Sequence, residues 1–153
     1  MNKVEVENNT TQDLIELFDN TVESILSGEY SGFGVIIENR PEGKVIVYQN
    51  PHTPNRVVVS KIESGTKEES LIRIGEMNNA HPFERDPLFE AVIDPRGDLI
   101  EFTKCGIRIA PDNIPKSIQI FIQILEKQRQ NLPKDDLISK FIPYLKRYAP
   151  QSE

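Results

Sequence analysis

The sequence predicts an α+β domain: a two-layer sandwich with a mainly antiparallel sheet of about five strands, an N-terminal helix and two C-terminal helices. Three observations predict it. Apolar residues recur at helical spacing near both ends of the chain. Between the ends they come in short strand-like runs broken by proline, glycine and aspartate. Those runs are joined by hairpin-length connections, which favour antiparallel pairing. The chain has 153 residues, enough to bury one core without disulfides or metal. A single domain is expected over residues 11–150, preceded by a flexible arm over residues 1–10.

The first helix is read from "TTQDLIELFDNTVESILSGEY". Leu14, Ile15, Leu17, Phe18, Val22, Ile25 and Leu26 recur at helical spacing on one face. Thr10 or Thr11 is placed as the cap, with Asp13 in the first turn. Gly28 stands where a left-handed residue ends a helix. Strands follow in "GFGVIIEN" and "KVIVYQN", joined by "RPEG", and in "RVVVSKI" after the turn "NPHTPN". "ESGTKEE" reads as a polar loop. Residues 69–79, around "SLIRIGEM", fit a strand by alternation and a short helix by composition, so both readings stay open.

The plainest hairpin is "LFEAVID" and "DLIEFTK" joined through "DPRGD". Asp94 and Pro95 start the turn, and Gly97 is placed at positive φ. "GIRIAP" is a short strand or an extended lead-in. Within "PDNIPKSIQIFIQILEKQRQNLP" the isoleucines alternate as in a strand. At 100° per residue, however, Lys116, Gln119, Gln123, Glu126, Lys127 and Gln130 fall in one arc, and a helix over 114–130 follows. Asn113 is its expected cap, with Pro115 in the first turn. A last helix, 135–148, carries Leu137, Ile138, Phe141, Ile142 and Leu145 as its stripe. A kink is expected near Ser139 to Pro143.

Helix, strands, "LFEAVIDPRGDLIEF" and another helix, in that order from roughly Leu14 to Lys127, resemble the type III secretion chaperone-like fold. The extra C-terminal helix departs from that pattern. The resemblance implies a fold only, and no site residue is carried over from it.

Composition narrows the function classes. With 18 basic and 24 acidic residues the net charge is −6, against a general nucleic-acid binder. "SIQIFIQIL" has about half the ~20 residues of a membrane span, and the polar start "MNKVEVENNTTQ" does not read as a signal peptide. One cysteine, Cys105, forms no internal disulfide, which suits a reducing cytoplasm. Neither nucleic acid nor membrane is expected as a partner, and no cofactor is expected.

Chemistry-bearing residues are few. "NNAHPFERDP" holds His81 with Glu84 and Asp86, a set able to exchange protons near neutrality. A proline-bracketed loop imposes no geometry on them, so a polar crossing between strands explains them as well. His52 lies in a turn and has no second ligand at metal spacing. "GEYSGFG" places its glycines after a helix and before a strand, the reverse of a phosphate loop. Arg96-Gly97-Asp98 reads as a turn, and Cys105 as an incidental thiol.

The leading functional expectation is a non-enzymatic cytoplasmic protein-binding module: an adaptor, assembly factor or chaperone-like subunit, homodimeric or within a complex. Phe141, Tyr144, Leu145 and Tyr148 are its candidate partner surface, because the last two helices carry more apolar side chain than one sheet face needs. A chain cut after Leu132 is expected to keep its sheet while changing solubility or oligomeric state. The alternatives are a small-molecule-sensing domain with a sheet–helix pocket, and a hydrolase or transferase using His81 with Glu84 or Asp86.

Overall fold

The computed structural model describes residues 13–41, 43–49, 55–64, 66–78, 88–130, 132–133 and 136–150. Helix α1 (Leu14–Leu26) leads into strands β1 (Val35–Arg40), β2 (Gly43–Tyr48), β3 (Asn55–Ser64), β4 (Thr66–Asn78), β5 (Phe89–Ile93), β6 (Leu99–Lys104) and β7 (Ile107–Arg108). A 3-10 turn (Pro111–Asn113) opens α2 (Ile114–Arg129), and α3 (Leu137–Lys146) follows. The strands form one sheet in chain order, β1 to β7, with every neighbouring pair antiparallel. The α+β class and the three helices are those the sequence predicts.

The sheet has seven strands rather than about five. The open segment 69–79 resolves as part of β4, which pairs with β3 on one side and β5 on the other. Strand geometry turns Ile72, Ile74 and Glu76 to the same face, and all three are buried. A helix would scatter them around its axis. The seventh strand is the short "GIRIAP" segment, paired with β6 at Thr103–Arg108 and Lys104–Ile107. "ESGTKEE" is not a loop: the β3–β4 ladder runs on to Ser64–Thr66. A long hairpin satisfies its backbone whether or not its tip is apolar, so polarity alone misreads it.

Asp13 is the cap of α1, its carboxylate accepting from the Ile15 N–H at 2.7 Å. This corrects the reading of Asp13 as a first-turn residue; Thr10 and Thr11 lie outside the described residues. At the other end Gly28 has φ +94°. The Glu29 N–H donates to the Ser24 carbonyl at 3.0 Å and the Gly28 N–H to the Ile25 carbonyl at 3.2 Å. These two bonds are the pair that closes a helix through a left-handed residue.

All three helices contribute to one core on one side of the sheet, with Phe18 of α1, Phe121 of α2 and Phe141 of α3 buried alongside Ile46, Ile74 and Phe102. Phe89, Phe102 and Phe121 form an aromatic cluster with centroids 5.7–6.0 Å apart. On α2 the alternating isoleucines diverge as helical geometry requires. Ile118 and Ile122 are buried, whereas Ile120 is 46% exposed. Gln128 joins the buried face. Asn113 occupies the cap position without a side-chain capping bond. Helix α3 runs unbroken through Pro143, whose side is exposed.

Candidate functional site

The sequence "PKDDL" places Asp136 just before the apolar run of α3, the position where a short carboxylate caps a helix. It does so: Oδ2 accepts from the Ile138 N–H at 2.8 Å. Its other oxygen, Oδ1, accepts from the Tyr48 hydroxyl at 3.0 Å and from the Tyr30 hydroxyl. Tyr30 comes from the loop after α1 and Tyr48 from the end of β2. One fully buried carboxylate thus joins the N-terminal helix layer, the sheet and the last helix.

Burial raises the Asp136 carboxyl above the usual aspartate range, against the lowering effect of its hydrogen bonds from Tyr30, Ile138 and Tyr48. Burial, and then the neighbouring carboxylate, push the Tyr48 phenol well above its ordinary value. Both carboxylate oxygens are committed to internal donors, and the residue has no exposed surface. Proton exchange with a substrate requires a group within reach of that substrate. The geometry suits holding elements together rather than catalysis.

A second buried carboxylate, Glu76, lies on the helix side of β4 in line with Ile72 and Ile74, opposite Phe89. It is engaged within the chain. Among the described residues, no three His, Cys, Asp or Glu side chains gather as a metal site would require. No helix among them is long and apolar enough to cross a membrane.

A different arrangement lies at the β7 edge. Cys105 and Gly106 both have positive φ, +53° and +81°, and make the two-residue turn from β6 to β7. The chain then leaves β7 through Ile109 and Ala110 and starts α2. Between strand and helix lies a groove of about 490 Å³, lined by Lys104, Ile107, Arg108, Ile109, Ala110, Asn113, Lys116 and Ser117. Ile107 is 72% exposed, the largest exposure among the exposed large hydrophobics. Ile120 lies one helical turn beyond Lys116 and Ser117 on the same side of α2.

His81, Glu84 and Asp86, with His52, lie outside the described residues. Cys105 is exposed in its turn. The glycines at 28, 32 and 34 in "GEYSGFG" all have positive φ, so they shape the helix-to-strand connection. Asp98 of the Arg-Gly-Asp triplet is ion-paired with Arg147 at 2.7 Å. Of the surface drawn from α3, Phe141 and Leu145 are buried in the chain's own core. Tyr144 packs on Gly97, and the Tyr148 hydroxyl accepts from the Leu99 N–H at 3.0 Å. The stripe docks on its own sheet, and only the two tyrosines keep partial exposure.

Asp136 was detectable as a cap, but its two tyrosine donors come from 106 and 88 residues away. No local pattern announces them. The groove residues likewise look ordinary until the β6–β7 turn and α2 bring them together. No family model, no curated protein and no solved structure matches this chain. None of these comparisons supports a likeness to the type III secretion chaperone-like fold.

Proposed function

We propose that this chain is a non-enzymatic protein-binding module, an adaptor, assembly factor or chaperone-like subunit. The observation that carries the reading is Ile107, 72% exposed in the lining of a groove beside an edge strand, with the exposed Ile120 one helical turn beyond that lining. Single exposed apolar residues are ordinary, but one lining a groove with a second a helical turn away makes a surface that gains by being covered. The fold's most buried titratable cluster, Asp136 with Tyr30 and Tyr48, is spent on internal hydrogen bonds. That leaves the groove as the better candidate for an outward role.

The test is site-specific photocrosslinking in the cell that makes the protein. A photoreactive residue at position 107 is expected to capture a discrete polypeptide, and one at the exposed control Lys44 is not. Equal or absent capture at both positions sinks the reading.

A further inference from the structure

The inference rests on the binding-module reading and names the kind of partner. The Ile109 N–H donates to the Phe102 carbonyl at 3.0 Å, so residues 102 and 109 form a hydrogen-bonded pair. In an antiparallel ladder the next pair, Thr103 and Arg108, is then non-hydrogen-bonded, and the Arg108 N–H and C=O point away from β6. Among the described residues no strand lies beyond β7. The open backbone groups therefore face the space beside the groove.

Side chains around that edge alternate in a usable way. Ile107 pairs with Lys104, whose ammonium lies 5.7 Å from the Phe89 ring on the helix side of the sheet. Lys104, Ile107 and Lys116 consequently share the groove side. Arg108 points to the opposite face, where its guanidinium pairs with Glu101 at 3.3 Å. Two lysines thus flank the groove side of this edge, in a chain of net charge −6, while the charge of Arg108 on the other face is already met by Glu101.

Lysines and arginines on an edge strand often only keep other strands away. Here the cations stand beside an isoleucine that is 72% exposed and lines a groove, so the edge offers apolar surface as well as charge. A second copy is disfavoured at this edge, because a two-fold pairing of β7 with itself opposes Arg108 to Arg108 and brings the lysines of both copies together. We propose that β7 receives an acidic peptide in extended conformation as an eighth strand. Its backbone meets the Arg108 N–H and C=O, its apolar side chains cover Ile107 and Ile120, and its carboxylates meet Lys104 and Lys116.

Fluorescence anisotropy on the full chain tests this with a labelled peptide of alternating valine and glutamate. Saturable binding is expected, weakened at least about ten-fold by Ile107→Glu, by raised salt, and by N-methylation of alternate peptide nitrogens. Ile36→Glu, on the β1 edge, is expected to leave it unchanged. The inference is overturned by equal binding of a valine–lysine peptide, by indifference to N-methylation, or by no binding at millimolar peptide. It is also overturned if Ile107→Glu instead abolishes self-association of the chain. Should the acidic peptide fail while position 107 still captures a polypeptide in cells, the binding-module reading stands and the acidic-strand inference alone falls.

Discussion

Gly97 carries two constraints at once. Its φ of +97° lies in the region that side chains other than glycine rarely adopt, and a Cβ there would come within 2.2 Å of the Tyr144 ring. The turn around it is organised by Asp94, whose carboxylate accepts from the Arg96 and Asp98 N–H groups at 2.9 Å each. Gly97→Ala is therefore expected to cost about 2–4 kcal/mol, backbone strain and overpacking together. In a Tyr144→Ala background only the backbone part remains, about 1–2 kcal/mol. Chemical denaturation of the four proteins in this cycle measures the difference, and strictly additive costs would show that Tyr144 does not press on the turn.

Asp136 is the other residue with consequences beyond its position. Asp136→Ala removes a helix cap and leaves two buried hydroxyls without their acceptor, an expected loss of about 2–4 kcal/mol. The pH dependence has a definite sign. The folded carboxyl titrates above its unfolded value, so folding favours the protonated form. That contribution is complete below the unfolded aspartate pKa, about 4, and is lost as pH rises through the higher folded value. Asp136→Asn keeps an acceptor and removes the titration. Relative to the parent it is expected to gain stability as pH rises from about 4 towards neutrality, and urea midpoints compared across that range would reveal a flat difference if burial did not raise this group.

At the scale of elements, α2 offers the sharpest contrast between two readings of one pattern. In a strand Ile118 and Ile120 would share a face and respond alike to truncation. In the helix they stand on different sides, one buried and one 46% exposed. Ile118→Ala is expected to cost about 2–5 kcal/mol and Ile120→Ala less than about 1 kcal/mol. Similar costs at both sites would contradict the helix. Local periodicity made this helix legible, as it did α1, α3 and the Asp94–Asp98 hairpin. It failed for β4, because a run as short as "SLIRIGEM" samples too few residues to separate the two periods. What decided β4 was pairing on both sides, a tertiary fact. The same limit hid the β7 groove, whose lining comes from a strand end, a turn and the first turns of a helix.

For the molecule as a whole, the last helix decides what the fold can lose. An amphipathic C-terminal helix read from sequence alone looks like an appendage whose stripe seeks a partner. Here Leu137, Ile138, Phe141, Ile142 and Leu145 are all buried in the same core as the sheet and the other two helices. Each is worth ~1.5–3 kcal/mol, so the five together contribute about 7–15 kcal/mol. That is comparable to the whole net stability of a domain this size, about 5–15 kcal/mol. A cut after Leu132 removes Asp136 as well, so Tyr30 and Tyr48 lose the carboxylate that joins them. The sheet is therefore not expected to survive the cut, contrary to the expectation that it persists with only solubility or mass altered. Far-UV circular dichroism of the truncated chain should show no cooperative thermal transition. A retained transition within about 5 °C of the parent would mean that the core closes without α3, since a loss of even half this burial shifts the midpoint of a domain of 150 residues by about 7–30 °C.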